Sequence, residues 1–456
     1  MDSQTIVAPM TPAGVSAVAA IRVSGSRVRE VVRLLFGEAA LKNLKAREAK
    51  LATARDYRTM VGDDRATAQV IDSLLYIFFE GPNSYTGEDV LELYPHGNPI
   101  IVRELIQVIK SVEGVRLAEP GEYTRRAFLN GRMDLVQAES VADVIHSANR
   151  DELKNAHRLL GGALSKKVKT LTEQVMDISA RLELDVDFAE EEADPDYATW
   201  GTKIEAIRES VLSILKSFRE KAAVSRLPLA VLYGAPNAGK SSLVNALLGE
   251  DRILVSDIPG TTRDFVEVRL FLDGGEIRLV DTAGIADKAA DALDALSMEK
   301  SREILAEADM KILVIDGSDV RGNSDDAIHP DFIVISKSDL GASRPGNACM
   351  DMTNSIHISS KTGAGLVELR QTMNAALFKK TENSEDLWIT SEREKTCLEE
   401  ALAGIDRTLS LIRTNPAVEL IAFEMQLVRR ALQSITGEIS SEDVLQKIFA
   451  GFCIGK

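Results

Sequence analysis

The apolar positions change period along the chain, and each change marks a different kind of element. Thr5–Val7 and Val15–Val23 read as strands, flanked by turn residues at Thr11-Pro12-Ala13-Gly14 and Ser24-Gly25. Val28–Leu35 reads as a helix. Leu74–Phe79 reads as a strand entering a turn-rich stretch, 81–89, after which Val90–Tyr94 alternates as a strand should. Ile100–Ile109 reads as a helix, and Pro120-Gly121-Glu122 marks a break. From Arg125 the period becomes helical. Leu160, Leu164, Val168, Leu171, Val175, Ile178 and Leu182 recur every three or four residues, the stripe a helix buries in a bundle. Asp185–Asp196 is strongly acidic and reads as a loop, and Ile204–Ala222 as another helix. Residues 224–378 alternate strand and helix, the signature of an α/β domain with a mainly parallel sheet. Lys379–Asp386 reads as a polar linker. Residues 391–449 are helical again, with a stop at Thr436-Gly437 and a start at Ser440-Ser441-Glu442-Asp443.

This order predicts a multidomain α/β plus α protein. Residues 1–118 form an N-terminal α+β domain, and 223–378 a nucleotide domain. That domain interrupts a helical bundle made of 119–222 and 379–456. The length, 456 residues, suits two to four domains. Three cysteines without paired spacing suit a reducing compartment. No run of roughly 18 apolar residues appears, so no membrane span is expected. The start of the chain has no basic segment of a secretory signal, so a cytoplasmic location is expected. The formal charge is −16 and the pI about 5.0, a poor general nucleic-acid binder. Contact with RNA would need a local basic face, and Lys166, Lys167 and Lys169 form the one dense basic run on the long helix.

The sharpest motif lies after the apolar run Leu229–Tyr233. Gly234, Gly239, Lys240 and Ser241 fit the spacing of a phosphate-binding loop, with Ser242–Leu248 as the helix that follows. Glycines let backbone N–H groups turn toward phosphates, and the helix start adds its positive dipole end. Lys240 would reach the β- and γ-phosphates, and Ser241 would ligate Mg²⁺. Strand Ile277–Val280 then runs into Asp281-Thr282-Ala283-Gly284, where Asp281 would hold the Mg²⁺ water shell and the Gly284 N–H would meet the γ-phosphate. Between them, Gly260-Thr261-Thr262-Arg263-Asp264 reads as a switch loop whose threonine completes the Mg²⁺ shell. Strand Phe332–Ile335 leads to Ser336-Lys337-Ser338-Asp339, and the Asp339 carboxylate can accept from both N1–H and N2–H₂ of guanine, so it selects GTP over ATP. Ser359-Ser360-Lys361 follows Ile356–Ile358 and can place an N–H on guanine O6. Where Ras-like enzymes carry a water-orienting glutamine, this chain has Ile285. Asn237, inside the phosphate loop, either closes the loop by a local hydrogen bond or ligates a monovalent cation.

The motif order resembles the Era-like translational GTPases, and the rest of the chain narrows this. Thr5-Ile6-Val7-Ala8, Thr11-Pro12, Ile21-Arg22-Val23-Ser24-Gly25, residues 81–89, residues 120–130 and the ending Phe452-Cys453-Ile454-Gly455-Lys456 are similar to the MnmE (TrmE) family of tRNA modification GTPases. The match is collinear over the full chain. The resemblance implies a homodimer whose N-terminal domains bind a tetrahydrofolate derivative, 5-formyl or 5,10-methylene. It implies a flavoprotein partner, MnmG (GidA), in a heterotetramer or larger complex. The joint product is an aminomethyl-type group, such as carboxymethylaminomethyl, on C5 of the wobble uridine, U34, of tRNA. Carried over residue by residue, the folate site falls on Arg22, Glu92, Arg132 and Lys456. Mg²⁺ falls on Ser241 and Thr262, and K⁺ on Asn237, Ser256, Ile258 and Thr261. The GTP contacts are Asn237, Ala238, Gly239, Lys240, Ser241 and Ser242; then Ser256, Asp257, Ile258, Pro259, Gly260, Thr261 and Thr262. They continue through Asp281, Thr282, Ala283 and Gly284, through Ser336, Lys337, Ser338 and Asp339, and end at Ser359, Ser360 and Lys361. GTP hydrolysis would be K⁺-stimulated and linked to dimerisation.

Four departures from the family pattern matter. Arg132 stands where a lysine is familiar. Ser336 replaces the usual asparagine, which removes an amide that bridges base and phosphate loop. Ala286 replaces an arginine. The family's catalytic glutamate aligns with Asp294. Several of these residues also have a plain reading. Asp294 can be a solvated residue of an acidic switch, and Lys456 a solvated terminus. Cys453 reads as a buried small residue, and His96 as a satisfied turn residue. Arg125, Arg126 and Arg132 can be surface charge. Lys166, Lys167 and Lys169 are either a solvated face or, given the family, a tRNA-facing patch. The alternative function is an Era-like regulatory or ribosome-assembly GTPase whose flanking domains only bind; folate binding separates the two.

Overall fold

The computed structural model describes residues 4–60, 67–187, 197–250, 266–282, 303–318, 329–340, 355–378, 387–414 and 418–456. The chain divides into two compact units. The first joins Met1–Ile145, Ala156–Phe218 and Leu387–Lys456; the second joins His146–Asn155 and Arg219–Asp386.

The first unit opens with β1 (Thr5–Pro9), β2 (Ser16–Val18), β3 (Ile21–Ser24), β4 (Ala49–Asp56), β5 (Gln69–Phe79), β6 (Val90–Tyr94), β7 (His96–Gly97) and β8 (Val115–Leu117). Six of these form one sheet in the order β4-β5-β6-β3-β1-β8, while β2 and β7 pair as a separate ribbon. All pairs in the sheet are antiparallel except β1 with β8. The expected strand Val15–Val23 is therefore two strands. Residues 16–18 leave for the ribbon, and Ala19 donates its N–H to Pro95 O between the two. Alternation along the strands sorts the side chains by face. Val7, Ile21, Val23, Leu91 and Leu93 pack with Val31, Val32 and Leu35 of the helix Val28–Phe36 and with Leu105, Val108 and Ile109 of Pro99–Lys110. The intervening residues Arg22, Glu92 and Tyr94 project from the other face, where Ile6, Ala8, Ala118 and Tyr123 cluster.

Helical segments complete this unit. Leu164, Val168, Leu171, Val175, Ile178 and Leu182 are all buried on the helix Ala163–Asp187. Leu160 belongs to a different helix, Arg150–Leu160, because Gly161 and Gly162, the latter at φ +81°, break the chain between them. The acidic stretch expected to be a loop from Asp185 is helical to Asp187. The stripe packs with Trp200, Ile204, Ile207 and Val211 of Tyr197–Lys216, and with Leu398, Ala401 and Ile405 of Glu392–Arg413. Ile421, Met425, Val428 and Leu432 of Val418–Thr436 close the core. A half-buried joint ties the helix Leu135–His146 to Glu392–Arg413 and Val418–Thr436. Arg393 donates through Nε and Nη2 to the two carboxylate oxygens of Glu139, both at 2.9 Å, and through Nη1 and Nη2 to Ser434 O and Ile435 O at 2.7 and 3.1 Å. The expected stop and start are present: Gly437 has φ +83°, and Ser441 caps the helix Glu442–Ala450 by accepting from the Val444 N–H.

The second unit carries β9 (Leu229–Tyr233), β10 (Val266–Leu272), β11 (Gly275–Asp281), β12 (Met310–Asp316), β13 (Phe332–Ser336) and β14 (Ser355–His357). The order is β10-β11-β9-β12-β13-β14, parallel apart from the edge pair β10–β11. Leu243, Val244 and Leu247 of the helix Lys240–Glu250 and Leu366, Leu369 and Met373 of Leu366–Leu377 cover one face. Leu305 packs on the other. The sheet presents the carboxyl ends of β9, β11, β13 and β14 together, where ligands of open α/β sheets bind.

Candidate functional site

In the second unit, β9 ends at Gly234, whose φ is +143° and where an added Cβ would lie 2.2 Å from Val314 O. No other residue fits that approach. The loop then passes Asn237 at φ +63° and Gly239 at φ +93° into the helix Lys240–Glu250. Lys240 is buried, and its Nζ donates to Gly234 O and Ala235 O, both at 2.8 Å. Ser241 Oγ lies 2.6 Å from Asp281 Oδ2, at the end of the neighbouring strand. Two hard oxygen donors side by side beside a phosphate loop fit Mg²⁺. Thr282 Oγ1 donates to Leu232 O, fixing the first residue after β11. Asn237 is exposed, and its side chain makes no hydrogen bond among the described residues.

The residues expected to face guanine converge on the same edge. A cleft of about 650 Å³ is lined by Gly239, Ser242, Asn245, Ala246, Ser336, Lys337, Asp339, Leu340, Ser360 and Lys361. Asp339 Oδ1 accepts from Ser359 Oγ at 2.7 Å, and Ser338 N–H donates to Ile358 O. The Ser359 hydroxyl, its own backbone and the Lys361 charge hold the Asp339 carboxyl below its ordinary value. Ser336 joins the strand to the phosphate loop. Its hydroxyl is buried and donates to Ala238 O at 2.6 Å, so strand and phosphate loop stay joined without the amide. Lys337, at φ +57°, adds a second tie: its Nζ reaches Asn237 O at 3.1 Å and the Asp316 carboxylate. Ser256, Asp257, Ile258, Pro259, Gly260, Thr261, Thr262, Ala283, Gly284 and Asp294 lie outside the described residues, as do Ile285 and Ala286.

In the first unit, the β3–β6 register sets Arg22 directly opposite Glu92. Arg22 Nε and Nη2 donate to Glu92 Oε1 at 3.0 and 2.9 Å, and Tyr94 donates to Glu92 Oε2 at 2.6 Å. The guanidinium lies 4.7 Å from the Tyr85 ring centre and 5.6 Å from that of Tyr123. Its Nη1 is buried and has no hydrogen-bond partner among the described residues. Burial and the bond to Glu92 push the Tyr94 phenol up to about 12. The end of the chain arrives here too. Tyr123 N–H donates to Lys456 O at 3.3 Å, and Gly455, at φ +99°, passes so close to Pro9 O that a Cβ would lie 2.3 Å from it. Lys456 is half-buried; burial, then the Arg22 charge, lower its amine, against the pull of Glu92. A buried guanidinium nitrogen with no partner, beside a carboxylate and an amine, fits a polar ligand that offers both acceptors and donors, as a folate does.

Three of the four expected folate residues thus come together: Arg22, Glu92 and Lys456. Arg132 is exposed and lies beside Gly87 instead. Tyr85, Tyr94 and Tyr123 were not anticipated, since only the pairing of distant strands and helices gathers them. Cys453 is exposed, not buried, because Phe452 fills the apolar position next to it. His96 accords with its plain reading: Nδ1 lies 2.8 Å from Asp72 Oδ1. Arg126 is not surface charge. It is buried against Glu88 and Glu122, and Arg125 pairs with Glu442.

A phosphate loop on this sheet, with a strand-end aspartate beside its serine and a guanine-type edge on the next strands, defines a P-loop GTPase. Comparison with known proteins narrows the class. A family model for the MnmE helical domain matches residues 135–453, and one for the GTP-binding protein TrmE N-terminus matches 5–132. The tRNA modification GTPase MnmE of Erwinia tasmaniensis is 36% identical over all of this chain and 99% of its own. That of Shewanella amazonensis is 36% identical over the whole of both. The G domain of the T. maritima FeoB iron transporter covers 33% of this chain and 99% of its own, at 23% identity and a TM-score of 0.22. The chain belongs to the MnmE family of tRNA modification GTPases, and it is a GTP-hydrolysing enzyme. No helix among the described residues is long and apolar enough to cross a membrane.

The loop 81–89 that carries Tyr85 is anchored to the helix Glu122–Leu129 by charge. Glu122 accepts from Arg116 through both oxygens, each at 2.7 Å, from the Glu119 N–H and from Arg126, which also holds Glu88. Burial raises the Glu122 carboxyl, but these donors outweigh it and bring it down to about 2 from an ordinary 4.5. A depressed carboxyl stabilises the fold above its unfolded value, and that stability is lost as pH falls from about 4.5 toward about 2. Urea midpoints measured across that window should fall steeply for the wild type. Glu122→Gln should be less stable at neutral pH and show a shallower acid loss.

Proposed function

We propose that the protein is the GTP-hydrolysing component of a two-protein enzyme acting on C5 of the wobble uridine of tRNA, U34, to install an aminomethyl-type group such as carboxymethylaminomethyl. The partner is the flavoprotein MnmG (GidA), in a heterotetramer or larger complex, and the protein works as a cytoplasmic homodimer. Residues 1–118 carry the folate and dimer functions, 119–222 with 379–456 the helical domain, and 223–378 GTP hydrolysis. The observation that carries this reading is the buried, unpartnered Nη1 of Arg22 beside Glu92 and Lys456. A tetrahydrofolate derivative, 5-formyl or 5,10-methylene, supplies a one-carbon unit when bound. Arg22 would donate to an acceptor of that group, and Glu92, fixed by Tyr94, would accept from its amino and ring N–H donors. Lys456 would add a third polar contact from the far end of the chain. Deleting Cys453–Lys456 should leave GTP turnover near wild type, weaken 5-formyltetrahydrofolate binding at least tenfold, and leave wobble uridine unmodified in tRNA mass spectra. Normal modification with the tail removed would contradict the folate role.

In the nucleotide unit, Lys240 and the loop N–H groups would hold the phosphates, with Ser241 and Thr262 on Mg²⁺. Asp339 would accept from guanine N1–H and N2–H₂. Asp339→Asn presents an amide that donates where the carboxylate only accepts. A nucleotide titration should therefore show preference moving from GTP toward xanthosine triphosphate; an unaltered strong preference for GTP would remove Asp339 from base recognition.

Hydrolysis needs positive charge at the γ-phosphate and an oriented water, and Ile285 supplies neither. We assign the charge to K⁺ held by Asn237, Ser256, Ile258 and Thr261, and the water to Asp294, acting when two nucleotide domains pair. The exposed side chain of Asn237, which makes no hydrogen bond among the described residues, supports the first part. Turnover at saturating GTP should be several-fold faster in K⁺ than in Na⁺. Asp294→Ala should bind GTP normally and turn it over at least tenfold more slowly. Equal rates in the two salts would eliminate the cation, and an unimpaired variant would eliminate Asp294.

A further inference from the structure

We infer that one end of the helix pair Ala163–Asp187 and Val418–Thr436 is the face on which the tRNA sugar-phosphate backbone docks, with Lys166, Lys167, Lys169 and Arg430 as its phosphate contacts. The inference rests on the reading that this chain acts on tRNA.

The two helices pack together through the bundle core. Their direction follows from the segment Leu135–His146. Gln137 Nε2 donates to Leu160 O, just before the first helix, while Leu135 sits against Gly437, just after the second. The start of one helix therefore lies level with the end of the other, and the pair is antiparallel. Within 163–176 and 426–438 the sequence places Lys166, Lys167, Lys169, Arg429 and Arg430 against only Glu173 and Glu438. That is a local excess of three positive charges in a chain of net −16.

Lys166, Lys167, Lys169 and Arg430 are exposed, and none of them makes an ion pair among the described residues. Elsewhere in the same bundle Arg208 pairs with Asp406, Arg407 with Glu424 and Lys395 with Glu392, while Lys203 and Lys216 are exposed but stand singly rather than in a run. Arg429 Nε is buried without a hydrogen-bond partner among the described residues. Glu438, past the end of the second helix, is held by Gln433. The lysines also sit on the wrong end of their helix. The first turn of Ala163–Asp187 has no acidic residue, and cations there oppose the positive end of the helix dipole. Charges that break a local rule without an internal partner are expected where a ligand supplies the compensation. A polyanion relieves both the mutual repulsion and the conflict with the dipole, and phosphate contacts of this kind carry backbone binding.

The test uses the full-length protein and an in-vitro-transcribed tRNA with uridine at the wobble position, titrated by fluorescence anisotropy over a range of salt. The triple variant Lys166→Ala, Lys167→Ala, Lys169→Ala should bind at least tenfold more weakly, and the slope of log affinity against log salt should flatten by about two to three. GTP turnover should be unchanged and the melting temperature equal to or above that of the wild type. Lys203→Ala with Lys216→Ala, on the helix Tyr197–Lys216, should leave affinity and slope as they are. If the wild type binds tRNA and the triple variant binds it equally, this face is not the docking site, even if the variant loses a protein partner. An equal loss in the Lys203/Lys216 variant would overturn the assignment to this face. If the wild type itself binds no tRNA, it is the tRNA reading that fails.

Discussion

An arginine can be buried in the first unit only because a glutamate is delivered to it by strand register. Taking a guanidinium out of water costs several kcal/mol unless opposite charge and hydrogen bonds replace the lost solvation. Arg22 on β3 meets Glu92 on β6 as a direct cross-strand pair, and Tyr94, two residues along the same strand, bonds the other oxygen. A slip of one residue would send Arg22 into the face covered by the helices Val28–Phe36 and Pro99–Lys110 and leave a hydrophobic residue in its place. The sheet and its polar face therefore specify each other. Tyr123, which stacks near the guanidinium, also donates to Arg22 O at 2.6 Å, so the helix Glu122–Leu129 is seated by the same residue.

Legibility in the sequence followed the range of the interaction. The phosphate loop could be read from eight consecutive residues, because its function resides in backbone conformation and Gly234, Gly239, Lys240 and Ser241 impose that conformation locally. The helix Ala163–Asp187 was legible from its stripe, but its start was not. Leu160 keeps the apolar period, while Gly161 and Gly162 end the preceding helix, and periodicity alone carries no information about that break. The ribbon β2–β7 and the edge strand β4 were not read, since their outward positions depend on which strand lies beside them. The tyrosines around Arg22 come from three separated segments, and nothing in the spacing of Tyr85, Tyr94 and Tyr123 announces that they meet. The end of the chain was recognisable only as a family feature. Its physical reason, Gly455 against Pro9 O, needs the folded neighbour.

Ser336 shows how a departure from a family pattern can be half-conservative. A hydroxyl is shorter than a carboxamide, yet β13 runs close enough to the phosphate loop for Oγ to reach Ala238 O, and Gly239 leaves the room. What is lost is the second arm of the amide. The groups expected at the base edge are themselves tied down, with Asp339 held by Ser359 and Lys337 by Asn237 and Asp316. Fixing these groups before GTP arrives lowers the ordering cost of binding.

Arginines of the first unit are met by carboxylates, and the exception marks the polar face of the sheet. In the first unit, Arg22, Arg116, Arg126 and Arg393 each meet a carboxylate. Glu394 illustrates the limit: buried next to Glu139 and with Arg393 already committed, its carboxyl is pushed well above its ordinary value. The nitrogen Arg22 Nη1 is an exception to internal pairing at the polar face of the sheet. In the phosphate loop, Lys240 Nζ donates to the carbonyls of Gly234 and Ala235, so the side chain that would meet the phosphates also holds the loop in shape.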